Sequence, residues 1–263
     1  MPSAADYPSN SIVKLFLIGD SGTGKTGALA SLVEAGYKLR ILDLDVGLES
    51  LINVVRHKDA KLLSSIEYES HRDRMKKGPQ GMMIDGAARA FTDTITLLDK
   101  WSDGSNPAEW GSNTVLVVDS GTALGRAAFN WFNALNPSAK DKRSIVLLAQ
   151  NAVEDVIAKL FDASFATNVI FISHVEYTNK EGVPPKGYTS IVGKALGPKI
   201  PRYVNTLVLA EIKGTGANAK RIIRTVPTGI VDVKVSNPFG IDAELPQESG
   251  LATLFNHLKG KQS

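Results

Sequence analysis

Short apolar runs alternate with segments of helical periodicity along most of the chain. The strand-like runs cover residues 12–18, 37–45, 65–69, 114–119, 168–173, 206–212 and 220–226. The helix-like segments cover residues 27–35, 48–56, 87–101, 122–135 and 144–162. Strands that alternate with helices in this way predict an α/β fold, in which helices flank a mainly parallel, twisted sheet on both faces.

The chain also divides into regions of different character. Residues 1–11 contain two prolines and little apolar periodicity, so we expect a flexible N-terminal tail. The main domain is expected over residues 12–236 and ends in a hairpin, because 206–212 and 220–226 flank a glycine-containing turn at 214–218. Residues 237–263 are expected to form a C-terminal extension with one short helix near 250–258. The segments 72–81 and 176–192 read as loops.

Composition narrows the class of protein. The 263 residues are 43% hydrophobic, which is enough to bury one large core. No apolar stretch reaches 18 residues and no signal peptide is visible, so we expect a soluble cytoplasmic protein without a membrane span. The absence of cysteine excludes disulfides and cysteine-ligated zinc. A net charge of +3 does not by itself indicate nucleic-acid binding, so any DNA contact must come from local clusters.

Residues 19–26 match the phosphate-loop pattern G-x-x-x-x-G-K-[ST], between the first strand and the first helix. The loop and the residue after it are Gly19, Asp20, Ser21, Gly22, Thr23, Gly24, Lys25, Thr26 and Gly27. In such a loop the backbone N–H groups face the phosphates, Lys25 reaches the β and γ oxygens, and Thr26 ligates Mg²⁺. The motif predicts binding of ATP or another nucleoside triphosphate with Mg²⁺. The alternative, a glycine-rich turn without a ligand, fits the spacing less well.

Acidic residues at the carboxyl ends of two strands are candidates for the metal and the attacking water. Asp119 closes the strand 114–119 and is the candidate second metal group, although it could also cap the next helix. Asp43 and Asp45 close another strand, and Asp45 is preferred as the residue that orients water because it is nearer the loop. A capping role for both acids remains an alternative, and Glu49 is a substitute candidate.

Polar residues beyond the fifth apolar run suggest a sensor and a DNA contact. His174 follows the strand 168–173, where it could report the γ-phosphate or serve a structural role. The following segment carries Lys180, Lys186 and Tyr188, which suit a single-strand binding surface because cations track phosphate and aromatic rings stack on bases. An ordinary solvated loop is the alternative. Basic clusters at 72–77 and 140–143 are further candidates.

Cations also flank the final hairpin. Lys213, Lys220, Arg221 and Arg224 lie there. One of them could act on the triphosphate of a neighbouring subunit, as an arginine finger does, and Lys213 and Arg221 are our trans-acting candidates.

In the order of these parts the chain resembles the RecA-like ATPases, and most closely the compact phage-encoded RecA-like proteins associated with single-strand annealing recombination. The resemblance spans about residues 12–226 and rests on the phosphate loop and on segments 42–45, 116–120, 171–174 and 193–196. It implies that the acidic strand end supplies the catalytic carboxylate, usually a glutamate in the family and here Asp45. It also implies that His174 is the phosphate sensor and that the loop after it contacts single-stranded DNA.

The resemblance implies a Mg²⁺-dependent RecA-like ATPase with slow, DNA-stimulated hydrolysis that assists annealing or homologous recombination. The expected partners are single-stranded DNA, further copies of the chain in a ring or filament, and a single-strand-binding protein. The expected location is the cytoplasm of a bacterial host if the chain is phage-encoded. The alternatives are a nucleotide-gated helicase loader or assembly factor with a protein partner, and a small-molecule kinase, which is disfavoured because no arginine-rich lid follows the Asp119 strand.

Overall fold

The structure is a computed structural model that describes residues 11–79 and 81–260. Its strands are β1 (Lys14–Gly19), β2 (Lys38–Asp43), β3 (Ile66–Ser70), β4 (Met75–Gly78), β5 (Gly81–Ile84), β6 (Gly111–Asp119), β7 (Thr167–Lys180), β8 (Val183–Ser190), β9 (Thr206–Lys213), β10 (Lys220–Arg224) and β11 (Glu244–Pro246). Its α-helices are α1 (Lys25–Ala28), α2 (Ala30–Glu34), α3 (Glu49–Asp59), α4 (Ala90–Asp99), α5 (Gly121–Leu135), α6 (Lys142–Phe161) and α7 (Gln247–Leu258). The predicted tail, apart from Ser11, lies outside the described residues.

The central sheet has the strand order β11-β10-β9-β1-β7-β6-β2-β3, with β8 paired to β7. Strand β1 lies between β7 and β9 and runs parallel to both, and β2 lies parallel between β6 and β3. Strand β10 pairs antiparallel with β9 on one side and with β11 on the other, so the expected C-terminal hairpin is present. The predicted α/β class with a mainly parallel sheet is therefore confirmed.

Helices cover both faces of the sheet because successive side chains of each strand point to opposite sides. Along β1, Phe16 and Ile18 join one apolar cluster with α4, α5 and α6, while Leu15 and Leu17 join another with α1, α2, α3 and α7. Phe16 stacks on Phe171 with ring centroids 4.6 Å apart. Burial on both faces explains why the central strands read as continuous apolar runs.

Both segments expected to be loops are antiparallel hairpins, and the prediction was wrong there. Within 72–81 and just beyond it, β4 pairs with β5. Within 176–192, β7 continues past His174 and pairs with β8 around Gly182, whose φ of 74° suits a residue without a side chain. Charged residues and prolines concealed these strands, because β4, β5 and the first half of β8 are mostly exposed and carry no run of buried apolar residues. Prolines are tolerated at an exposed strand start.

The C-terminal residues complete the same sheet. Strand β11 pairs with β10, and α7 packs against α1, α2 and β10. Leu251, Leu254 and Phe255 of α7 are fully buried. Among the described residues, no helix is both long enough and apolar enough to cross a membrane. This packing brings Gln247, the first residue of α7, to the phosphate loop.

Candidate nucleotide-binding site

The phosphate loop joins β1 to α1, as the motif requires. Gly22 and Gly24 have φ angles of 80° and 85°, which residues with side chains rarely adopt. A Cβ atom at Gly19 would lie 2.3 Å from the carbonyl oxygen of Ala210 on β9. The glycines are therefore needed for the path of the loop and for its close approach to the neighbouring strand.

Lys25 lies at the base of the loop with only 7% of its surface exposed. Its Nζ donates to the carbonyl oxygens of Gly19 and Asp20 at 2.9 and 2.8 Å. Burial lowers the pKa of Lys25, while the charges of Asp119, Asp20 and Asp45 oppose that shift. A largely desolvated cation beside the loop interacts more strongly with phosphate than an exposed lysine does.

Thr26 and Asp119 bring two oxygen ligands together. The Thr26 hydroxyl donates to Oδ2 of Asp119 at 2.7 Å. Asp119 is 3% exposed, and burial raises its pKa to about 6, although the Thr26 hydrogen bond and Lys25 act in the opposite direction. Hydroxyl and carboxylate oxygens beside a phosphate site are the donor set that Mg²⁺ takes in nucleotide enzymes, so these residues fit the metal. Ser120, not Asp119, caps α5, through Oγ and the N–H of Ala123.

The two acids at the end of β2 have different surroundings. Asp43 is 3% exposed and accepts from the N–H of Gly47 and the hydroxyl of Ser70, both at 3.2 Å, so it holds the loop after β2. Asp45 faces the cavity and accepts from the Ser120 hydroxyl. Of the two acids, Asp45 is the one in position to meet a ligand. Glu49, the substitute candidate, begins α3 and does not line this cavity.

The loop that carries Asp45 is strained. Val46 has a φ of 55° and is, among residues 11–79 and 81–260, the non-glycine residue with positive φ. A β-branched residue in the left-handed region costs on the order of 1–3 kcal/mol. Such strain persists where the surrounding structure fixes the backbone, and it is concentrated at functional loops.

His174 stands next to Asp45 at the end of the parallel part of β7. Its Nε2 is 4.0 Å from Oδ2 of Asp45. Burial lowers the pKa of His174, the charge of Lys25 lowers it further, and Asp45 and Asp20 act in the opposite direction. The shift favours the neutral imidazole at pH 7, which can both donate and accept a hydrogen bond.

These groups line one cavity of about 560 Å³ together with residues that sequence reasoning did not place there. Gln247 was missed entirely, and its Nε2 donates to the carbonyl of Gly24 at 2.6 Å. Arg221 was considered only for a neighbouring subunit, yet its Nε donates to the carbonyl of Gly22 in the same chain at 3.3 Å. Lys213, the other trans-acting candidate, is paired 2.9 Å from Glu244.

The residues predicted to bind DNA lie on the β7–β8 hairpin. Lys186 is paired with Asp232 at 2.6 Å, and Tyr188 is half-buried. Lys180 belongs to β7, but its side chain lies outside the described part of the structure. The hairpin also contacts the phosphate loop, because the Tyr177 hydroxyl donates to Oδ2 of Asp20 at 3.2 Å.

A parallel sheet with this loop after β1, and with acids at the ends of β2 and β6, defines the class of P-loop nucleotide-binding proteins. The chain belongs to the AAA domain family AAA_24, whose model matches residues 11–234. The prediction of a RecA-like P-loop ATPase core is confirmed.

Several solved structures are similar to the chain at low sequence identity. It is similar to the RadB recombinase (16% identity, 90% of this chain and 89% of that one, TM-score 0.48). It is also similar to the flagellar accessory protein FlaH from Methanocaldococcus jannaschii (11% identity, 88% of this chain and 83% of that one, TM-score 0.43). A third similar structure is a KaiC-like protein from Pyrococcus horikoshii OT3 (10% identity, 81% of this chain and 77% of that one, TM-score 0.38). Among curated proteins, none matches the chain.

Proposed function

We propose that the chain is a Mg²⁺-dependent ATPase that binds single-stranded DNA and assists annealing or homologous recombination. The observation that carries the nucleotide part is the convergence of Lys25, the Thr26–Asp119 pair and the Asp45–His174 pair on one cavity. The DNA part rests on the resemblance to compact phage-encoded recombination proteins. The proposed location is the cytoplasm, that of a bacterial host if the chain is phage-encoded.

The residues divide the work of hydrolysis. The loop amides and Lys25 bind the phosphates of ATP, and Thr26 with Asp119 holds Mg²⁺, which supplies charge stabilisation when bound. Asp45 accepts a proton from the water that attacks the γ-phosphorus, and the bond to the ADP oxygen breaks. His174, in its neutral form, contacts the γ-phosphate and responds to its loss. Aspartate is shorter than the usual glutamate, which supports slow turnover.

The β7–β8 hairpin is the proposed contact with single-stranded DNA, through Lys180, Lys186 and Tyr188. The Tyr177–Asp20 hydrogen bond supports communication between this hairpin and the phosphate loop. For Lys186 to reach a DNA phosphate, it must exchange its contact with Asp232 for that phosphate. Further copies of the chain, in a ring or filament, and a single-strand-binding protein are the proposed partners.

The two hairpin cations have separate proposed roles. The contact of Arg221 with Gly22, and its place in the cavity, support action on the triphosphate of its own chain. Lys213 lies outside that cavity and remains the candidate for action on a neighbouring subunit.

A nucleotide-gated loader or assembly factor is the second candidate, and one observation favours it. Met75, Met82 and Met83 on the β4–β5 hairpin are 48%, 66% and 46% exposed. Methionine is adaptable and is common on surfaces that bind protein partners. This function predicts hydrolysis that does not respond to DNA.

The deciding experiment measures ATP hydrolysis with Mg²⁺, with and without single-stranded DNA, and uses Lys25→Ala as the blank. Hydrolysis that is lost in the variant and stimulated by DNA is the result we expect. Hydrolysis that is lost in the variant but indifferent to DNA favours the loader. Equal hydrolysis by the two proteins would contradict the phosphate-loop assignment itself.

A further inference from the structure

A second cavity of about 480 Å³ opens beside the nucleotide cavity and shares Asp45 and His174 with it. Its remaining walls come from Leu44 after β2, from α5, from the first residue of α4 and from residues 71–73 and 75 at the start of β4. None of the roles assigned above uses this space. It lies where a second ligand would touch the residues proposed to act on the γ-phosphate.

Two arginines give the cavity a positive wall. Arg72 and Arg126 both line it, and neither forms an ion pair within the described part of the chain. The Nε of Arg72 donates to the carbonyl of Leu44 at 2.9 Å, which fixes the side chain and leaves its terminal nitrogens for other acceptors. Arg126 projects from α5 and is exposed.

The nearby carboxylates do not cancel this charge by pairing with the arginines. Oδ1 of Asp73 accepts from the N–H groups of Arg89 and Ala90 at 2.9 and 3.1 Å, and Oδ2 accepts from the Asn130 amide at 2.9 Å. Asp73 therefore ties α4 to α5. Asp45 accepts from Ser120. Because guanidinium groups bind phosphate in a forked, two-bond geometry, the free guanidinium nitrogens point to a phosphate-bearing ligand.

Several of the other lining residues are apolar, and they lie beside the polar side chains of His71, Thr122 and Asn130. Leu44, Ala90 and Ala127 are buried, and Met75 is about half exposed at the rim. Small side chains leave room for a flat ring, and a methionine sulfur makes favourable contacts with aromatic rings. A cavity of this volume, with an apolar floor and a cationic wall, suits one nucleoside phosphate.

We propose that this second cavity binds one nucleoside phosphate unit, with its phosphate on Arg126 and Arg72 and its base on the apolar floor. The unit is either one nucleotide of a single strand or a free mononucleotide. The first of these two sources rests on the proposed function, because it requires that the protein bind single-stranded DNA. Since the ligand shares Asp45 and His174 with the ATP site, binding at the two sites is coupled, and each ligand changes the affinity of the other by the same factor.

The test uses Arg126→Ala, because Arg72 also supports the loop that carries Asp45. Arg56→Ala is the matched control, since Arg56 is an exposed helical arginine on α3, across the sheet. Binding of a fluorescent oligothymidylate and of labelled dTMP is measured with the first cavity filled by a non-hydrolysable ATP analogue and Mg²⁺. Melting temperature verifies folding, and Arg126→Lys tests whether charge alone suffices.

Arg126→Ala should weaken oligothymidylate binding about tenfold and reduce the slope of log affinity against log salt by about 0.7, with no change in the control. Loss of dTMP binding alone would support the free-mononucleotide source. Unchanged binding of both ligands would overturn the proposal, as would failure of the wild type to bind either while it still hydrolyses ATP. Failure to bind the ATP analogue would instead refute the proposed function, and the oligothymidylate comparison would still test the second cavity.

Discussion

The hydroxyl of Thr26 and the Oδ2 of Asp119 are 2.7 Å apart, although 93 residues separate them in the chain. The first residue follows β1 in the phosphate loop, and the second ends β6, two strands away in the sheet. Their contact orients both oxygens toward each other. Preorganisation of this kind lowers the cost of ordering ligands when a metal binds.

Asp119→Asn should therefore impair use of the metal more than the fold. The amide keeps the shape and removes the charge that attracts Mg²⁺, so the Mg²⁺ concentration for half-maximal ATP binding should rise about tenfold or more. A Mg²⁺ titration with a fluorescent ATP analogue measures it. Thr26→Ser keeps the hydroxyl and should resemble the wild type. An unchanged Mg²⁺ requirement in Asp119→Asn would remove this residue from the metal site.

Asp45→Asn should separate hydrolysis from binding. The amide cannot accept a proton from water, so turnover should fall about a hundredfold while ATP affinity stays within a few-fold. Single-turnover hydrolysis and equilibrium binding together measure the two effects. Glu49→Gln is the matched control and should leave turnover unchanged, because Glu49 does not line the cavity. The reverse pattern, with only Glu49→Gln impaired, would transfer the role to Glu49.

The parts of the fold that could be predicted are those written in local patterns. The β1-loop-α1 unit and the buried strands follow from apolar runs and a spaced motif, and their order sets the parallel sheet. The β4–β5 and β7–β8 hairpins could not be read in this way, because exposed strands carry lysine, proline and glycine instead of a buried face. Turn composition gave the signal for a loop, where the structure has a tight hairpin.

The site shows the same division. Lys25, Thr26, Asp119 and Asp45 were predicted because each lies at a strand end or in a motif, and strand ends of a parallel sheet meet at one edge. Gln247 donates to the carbonyl oxygen of Gly24, which lies 223 positions earlier in the chain, and no sequence motif predicts such a contact. It depends on how α7 packs against α1 and α2, which is decided by tertiary burial.

Lys14 provides a prediction about pH that is independent of the site. Burial lowers its pKa from 10.5 to about 8, against the opposing charge of Asp162. Between pH 8 and pH 10.5 the unfolded chain binds more protons at Lys14 than the native chain does, so the free energy of unfolding rises with pH in this range. Below about pH 8 the destabilisation caused by the buried charge is constant. The stability advantage of Lys14→Met over the wild type should therefore shrink as pH rises. Urea unfolding at pH 7 and pH 9.5 measures it. A difference that does not vary with pH would contradict the assignment. Lys38→Met, at an exposed lysine on β2, is the matched control.

Arg221 tests whether the final hairpin acts on its own chain or on a neighbour. Its Nε contacts Gly22 of the same loop, so Arg221→Ala should weaken ATP binding about tenfold even in dilute protein, through loss of a charged contact to phosphate. Lys213→Ala, on the same hairpin but paired with Glu244, is the matched control and should bind ATP normally.

Mixing Arg221→Ala with Lys25→Ala distinguishes action within one chain from action on a neighbouring subunit. In the mixture one protein has an intact phosphate loop and the other an intact arginine, so hydrolysis is restored only if the arginine reaches across a subunit boundary. We expect no restoration, and recovery of turnover on mixing would show that Arg221 acts in trans.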